Sequence, residues 1–129
     1  MRTLDIATDP PQLAARSERP VLSEPLLRLA PWQAKCVRCY IAVHLHRPIR
    51  IEELAYVAQL EPFRFKRAFR QNFDTTPHQY VIRRRIDRAQ ALMLESRDSL
   101  RSIARACGFV HEAHMSHVFR GLIGQRPSR

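Results

Sequence analysis

One helical pattern is written twice in this chain. The first copy is IEELAYVAQLEPFRFKRAFRQNFDTTP, from Ile51 to Pro77, and the second is LRSIARACGFVHEAHMSHVFRGLIGQRP, from Leu100 to Pro127. Ile51, Leu54, Ala55 and Ala58 align with Leu100, Ile103, Ala104 and Cys107, and Leu60 aligns with Phe109. One extra residue then enters the second copy, after which Phe65, Phe69, Arg70 and Pro77 align with Met115, Phe119, Arg120 and Pro127. A repeat of this kind commits the chain to two like structural units.

Spacing fixes the faces within each unit. Positions i, i+3, i+4 and i+7 share one side of an α-helix, and Ile51, Leu54, Ala55 and Ala58 fill them, as do Leu100, Ile103, Ala104 and Cys107. The small Ala55 and Ala104 let a second helix cross closely. Phe65, Ala68 and Phe69 anchor that second helix in the first copy; Met115, Val118 and Phe119 do so in the second. Helix, tight turn and helix at this spacing is the helix-turn-helix pattern, whose second helix enters the major groove of DNA. In the first copy Phe63, Lys66, Arg67 and Arg70 step by three and four on the face opposite Phe65 and Phe69. Cations on one exposed stripe suit phosphates and guanine edges. The same stripe on a lone helix reads as an ordinary solvated face; its recurrence in a duplicated helix-turn-helix favours the nucleic-acid reading.

The charge agrees. The 129 residues carry a formal net charge of +10, and it is unevenly placed. Residues 1–30 hold four basic and four acidic residues, whereas residues 31–129 hold eighteen basic and eight acidic ones. Twenty of the 22 basic residues are Arg, whose fork of donors suits phosphate and guanine. No apolar run approaches the roughly 20 residues of a membrane span, and the start MRTLDIATDPPQ has no charged-then-apolar signal pattern. The expectation is a cytoplasmic, nucleoid-associated protein with no membrane partner. Three cysteines, an odd number, fit a reducing compartment better than a disulfide framework.

Along the chain, residues 1–29 read as a weakly ordered tail broken by Pro10, Pro11, Pro20 and Pro25, with Leu22, Leu26 and Leu27 able to pack on the body. The first lobe occupies residues 30 to about 76. Its opening helix starts at Pro31 and runs to about Leu45, with Cys36, Cys39, Tyr40 and Val43 on its inner face. A linker helix follows over about residues 76–96, capped by Thr76 and started by Pro77. Its apolar stripe is Ile82, Ile86, Ala89 and Met93, helped by Tyr80 and Leu92. Asp98 or Ser99 caps the next helix, and the second lobe takes residues 97–129. A helix of about twenty residues is a rod of about 30 Å, close to the roughly 34 Å of one DNA turn.

These residues resemble the AraC/XylS family of bacterial transcription regulators. The shared parts are Leu54-Ala55, the run Phe65 to Phe69, Thr76-Pro77-His78-Gln79-Tyr80, and Arg85, Ala89 and Leu92 in the linker. They continue with Ile103-Ala104, Cys107-Gly108-Phe109, His114-Met115, Val118-Phe119-Arg120, Gly124 and Pro127. The resemblance implies an all-α, homeodomain-like fold of seven helices in two helix-turn-helix lobes joined by the long linker helix. It further implies a stand-alone regulator of the MarA/SoxS type, a monomer on double-stranded promoter DNA that contacts RNA polymerase. Carried over by position, the base-reading residues are Phe63, Lys66 and Arg67 in the first lobe, and Glu112, Ala113, His114 and His117 in the second. Arg64, Arg70, Arg84 and Arg120 are the phosphate-binding residues. There are departures. Gln59 and Asp74 stand where the family usually has Gly, and Glu61 and Val110 where Ser usually caps each recognition helix. A lost cap costs about 1 kcal/mol, and Glu61 before Pro62 can substitute for one.

Other constellations carry less. Cys36-Val-Arg-Cys39 is a single C-x-x-C, half of a zinc ligand set, on what reads as the packed side of a helix. Cys107 reads as core. His111, His114 and His117 recur every third residue, a spacing that can share a metal but here reads as DNA contact or surface. No nucleophile triad or Gly-rich phosphate loop is present, so neither catalysis, cofactor nor metal is expected. The reading is a sequence-specific DNA-binding regulator that recruits polymerase as an activator or blocks it. The alternative is an interaction protein that sequesters a partner regulator without binding DNA.

Overall fold

The computed structural model describes residues 27–124 and Pro127. Six helices lie in chain order: α1 (Pro31–Val43), α2 (Ile51–Ala58), α3 (Pro62–Phe73), α4 (Pro77–Glu95), α5 (Leu100–Ala106) and α6 (Glu112–Ile123). That is one helix fewer, among the described residues, than the resemblance implied. Residues 125, 126, 128 and 129 lie outside the described residues.

Two hydrophobic cores hold two lobes. Leu29, Ala34, Val37, Ile41, Leu45, Leu54, Ala55, Ala58, Phe65, Ala68, Phe69 and Val81 close the first. Ile86, Ala89, Ile103, Ala104, Cys107, Phe109, Met115 and Phe119 close the second. Each large apolar side chain fully buried here contributes about 1.5–3 kcal/mol. Phe69 packs on Phe73 and Tyr80 with ring centroids at 4.4 and 5.5 Å, which fastens α3 to the start of α4.

α4 belongs to both lobes. Val81 enters the first core, and Ile86 and Ala89 enter the second. The expected stripe is therefore right from Ile86 onward, but Ile82 is only half-buried and Val81 takes the inner place. A helix that changes partners midway turns a different face to each, so one stripe cannot serve its whole length. The guanidinium of Arg85 lies at the changeover. It donates to the carbonyls of Leu45 at 3.1 Å and Arg47 at 2.7 Å, tying α4 to the loop after α1. Half-burial lowers its pKa from the ordinary arginine value. Gly108 of the second lobe lies against the same Leu45 carbonyl.

α1 corrects the sequence reading. Ala34, Val37 and Ile41 face the core, while Cys36, Cys39 and Val43 are exposed and Tyr40 is half-buried. The helix carries two apolar stripes about 200° apart, and periodicity alone does not choose between them. Val37 and Ile41 bring branched bulk to the core, and Leu29 and Leu45 extend their side. The helix ends at Val43 rather than Leu45. Leu27 packs partly on the first core and Leu29 is buried, so the chain joins the body before the expected residue 30. Leu22 and Leu26 lie outside the described residues.

Candidate nucleic-acid interface

Each recognition helix is set by its cap. Glu61 caps α3, its Oε1 accepting from the Arg64 backbone N–H at 2.7 Å, and Pro62 takes the first helical position. Val110 does not cap α6. The helix opens one residue later, and His111 caps it, Nδ1 accepting from the His114 N–H at 3.0 Å. That acceptor role requires a neutral imidazole with its proton on Nε2. The extra residue of the second copy is thus spent in the turn. Thr76 and Ser99 cap α4 and α5 as expected, each accepting at 3.2 Å.

The turns between paired helices use the left-handed backbone. Gln59 sits at φ 60° and Gly108 at φ 85°, and the residue after each donates back to Ala55 or Ala104. Asp74 at φ 62° and Gly124 at φ 88° close α3 and α6 in the same way. The first lobe therefore adopts with Gln and Asp the conformation that the second adopts with Gly.

In the first lobe α3 buries Phe65, Ala68 and Phe69, which leaves Phe63, Arg64, Lys66, Arg67 and Arg70 exposed on its other side. The Arg67 guanidinium lies 5.8 Å from the centre of the Phe63 ring. Phe63, Lys66, Arg67 and Arg70 line one side of a groove of about 450 Å³, with Ile51 and His78 also on its walls. An exposed phenyl ring beside three cations offers an apolar contact as well as donors.

In the second lobe α6 buries Met115 and Phe119, and Glu112, Ala113, His114, His117 and Arg120 are exposed. The His114 ring stands edge-on to Phe109 at 5.5 Å, with His111 beyond it at 6.2 Å. Glu112 and Ala113 line a groove of about 530 Å³ shared with Arg101, Arg105 and His111. His117 lies in a separate groove of about 550 Å³ between α6 and α4, facing Gln79, Arg83 and Arg84. The structure thus places the seven base-reading candidates on exposed positions of two helices, but in α6 Glu112 and Ala113 line one groove, His117 lines another, and His114 lines neither. Arg84 is engaged within its own helix: it pairs with Asp87 and lies 5.5 Å over the Tyr80 ring.

The sequence reading missed Arg101, Arg105 and Arg83. The signal was present: Arg101 and Arg105 are four apart on the side of α5 away from Ile103 and Ala104. They supply the cations that α6 itself lacks ahead of Arg120. Among the described residues no three His, Cys, Asp or Glu side chains gather to hold a metal ion, and no helix is long and apolar enough to cross a membrane.

Known proteins share this arrangement. A helix-turn-helix domain family matches residues 54–129. The chain is 40% identical over 90 residues to probable transcriptional regulator LumQ of Photobacterium leiognathi, covering 70% of this chain and 36% of LumQ. It is 30% identical over 84 residues to the regulator GbdR of Pseudomonas aeruginosa, covering 65% of this chain and 23% of that one. The chain therefore spans about a third or less of these curated relatives. Among solved structures, the DNA-binding domain of AdpA, a global transcriptional factor in complex with a target DNA, superposes with a TM-score of 0.70 at 31% identity, covering 76% of this chain and 87% of that one. An AraC-type regulator from Chromobacterium violaceum reaches the same TM-score at 24% identity, over 74% and 85% of the two chains, a likeness of fold. With two capped recognition helices on one shared linker and these relatives, the chain belongs to the AraC-type helix-turn-helix family of transcriptional regulators.

Proposed function

We propose that this chain binds promoter DNA sequence-specifically as a monomer, placing α3 and α6 in successive major grooves, and that it regulates transcription by contact with RNA polymerase at the nucleoid. The observation that carries the reading is α4. Its 19 residues make a rod of about 28 Å whose two ends are built into the two cores. One turn of DNA advances about 34 Å, so one side of a duplex suits both recognition helices. Phe63, Lys66 and Arg67 read bases in the first half-site; Glu112, Ala113, His114 and His117 read the second. Arg64, Arg70, Arg84 and Arg120 hold phosphates, joined by Arg101 and Arg105. The AdpA domain, solved on its target DNA, supports the DNA-binding part of this reading. Selection of bound duplexes from a random library tests it. Two conserved half-sites about one helical turn apart are expected, and recovery of no preferred sequence overturns the proposal.

A further inference from the structure

The face of α1 turned away from the core has no use in the reading above. It presents Trp32 (50% exposed), Cys36, Cys39 and Val43 (67% exposed). Steps of four, three and four residues make this a straight seam, the spacing by which one helix lies along another. Lys35 and Arg38 flank it, both exposed, and α1 contains no acidic residue.

Two exposed thiols at C-x-x-C spacing supply half of a tetrahedral zinc set. Among the described residues no cluster brings a third ligand to them, and Cys107 is fully buried in the second core. A second copy offers the same pair on the same kind of seam. The charges then decide when the two copies meet. Without metal, the Lys35 and Arg38 rims of two seams repel. Four thiolates around Zn²⁺ carry a net charge of −2, placed between those four cations, and four thiol protons pass to the solvent on binding. Trp32 and Val43 lose their exposure in the same contact.

We propose that Zn²⁺ clasps two copies of this chain through Cys36 and Cys39 of each, making α1 a metal-dependent dimer seam. No α1 residue lines the grooves beside α3 and α6, so the clasp leaves both recognition helices open. Two clasped chains carry four recognition helices, and linkage favours paired sites over single ones.

The test uses the full chain, reduced and stripped of metal, in the presence of a thiol-free reductant. On addition of Zn²⁺, sedimentation velocity should show the monomer mass double, with one zinc bound per two chains. Co²⁺ in its place should give thiolate-to-metal charge-transfer bands and the strong visible absorption of a tetrahedral site. Cys36→Ser with Cys39→Ser should keep its helical circular dichroism and its metal-free DNA affinity, remain monomeric, and give no such bands. A chain that stays monomeric in excess Zn²⁺ overturns the proposal. So does dimerisation that survives in the double variant, which would assign the metal to histidines.

Discussion

Positions 59 and 108 are equivalent in the two copies, and the structure makes opposite predictions for them. Both are left-handed, at φ 60° and φ 85°. A left-handed backbone costs a residue with a side chain about 1–2 kcal/mol that Gly avoids. At Gly108 there is a second term. A Cβ there would lie 2.1 Å from the Leu45 carbonyl oxygen and 2.9 Å from Arg85 Nε. The carbonyl is backbone and already accepts from Arg85 at 3.1 Å, so relief of the clash breaks that bond or parts the lobes. A hydrogen bond from a charged donor is worth about 1.5–3 kcal/mol. Gly108→Ala should therefore destabilise by about 3 kcal/mol or more. Gly124 is the control: φ is 88°, yet a Cβ would meet no described atom within 4 Å, so Gly124→Ala should cost about 1 kcal/mol for conformation alone. Gln59→Gly relieves strain and adds chain entropy, and should be neutral or stabilising by about 0.5 kcal/mol.

Thermal unfolding followed by circular dichroism reads all three. At about 4–8 °C per kcal/mol for a body of this size, Gly108→Ala should lose about 12 °C or more and Gly124→Ala about 4–8 °C. In an Arg85→Ala background the Gly108→Ala loss should shrink, because the shared hydrogen bond is already gone. Equal losses at Gly108 and Gly124 would refute the claim that Gly108 is fixed by the contact between lobes. A marked loss for Gln59→Gly would refute the strain assigned to the first turn.

The remaining expectations concern DNA and acid. With Arg64, Arg70, Arg84, Arg101, Arg105 and Arg120 on phosphates, affinity should fall about a thousandfold or more between 50 and 200 mM salt; a nearly flat dependence in fluorescence anisotropy would remove the phosphate term. Inserting about five base pairs between half-sites turns one groove by half a turn and should weaken binding as much as deleting a half-site, since α4 is built into both cores. Arg67→Ala should cost about 1–3 kcal/mol of specific binding and exceed His117→Ala at pH 7.5, because Arg67 can grip guanine with two donors. Glu53, which accepts from Arg47 and from Tyr40 Oη at 2.8 Å each, is held at about 2 against an ordinary 4.5. Its stabilisation is complete above pH 4.5 and is lost as pH falls through about 2, so Glu53→Gln should lower the melting temperature at pH 7 and differ little from the parent near pH 2.

The repeat made the two helix-turn-helix units legible because their inward residues are few and regularly spaced: Leu54, Ala55, Phe65 and Phe69 answer Ile103, Ala104, Met115 and Phe119, and all eight are buried. α1 was harder because both of its sides are apolar. Choosing between them requires knowing that Leu29 and Leu45 close the same core, a contact between segments that periodicity does not report. The cap of α6 was hidden for a different reason. His111 is a poor cap by type, and only the extra residue of the second copy hinted that the helix begins after Val110.

These failures have consequences for the site. The first lobe has a carboxylate cap at Glu61, a phenyl ring at Phe63 and a cationic stripe on a single helix, so the pattern of one helix displays all of its candidates. The second lobe is assembled from three helices. Arg101 and Arg105 come from α5, Arg83 and Arg84 from α4, and only the imidazoles, Glu112 and Arg120 from α6. A search along one recognition helix undercounts its positive charge. Because those cations stand on elements that also form the second core, the hold on phosphate proposed for the second lobe would depend on its packing. Gly108 and Arg85 set how that lobe meets the first, so disturbing them should change spacing and affinity together, whereas Arg67→Ala should change the choice of base and leave the spacing intact.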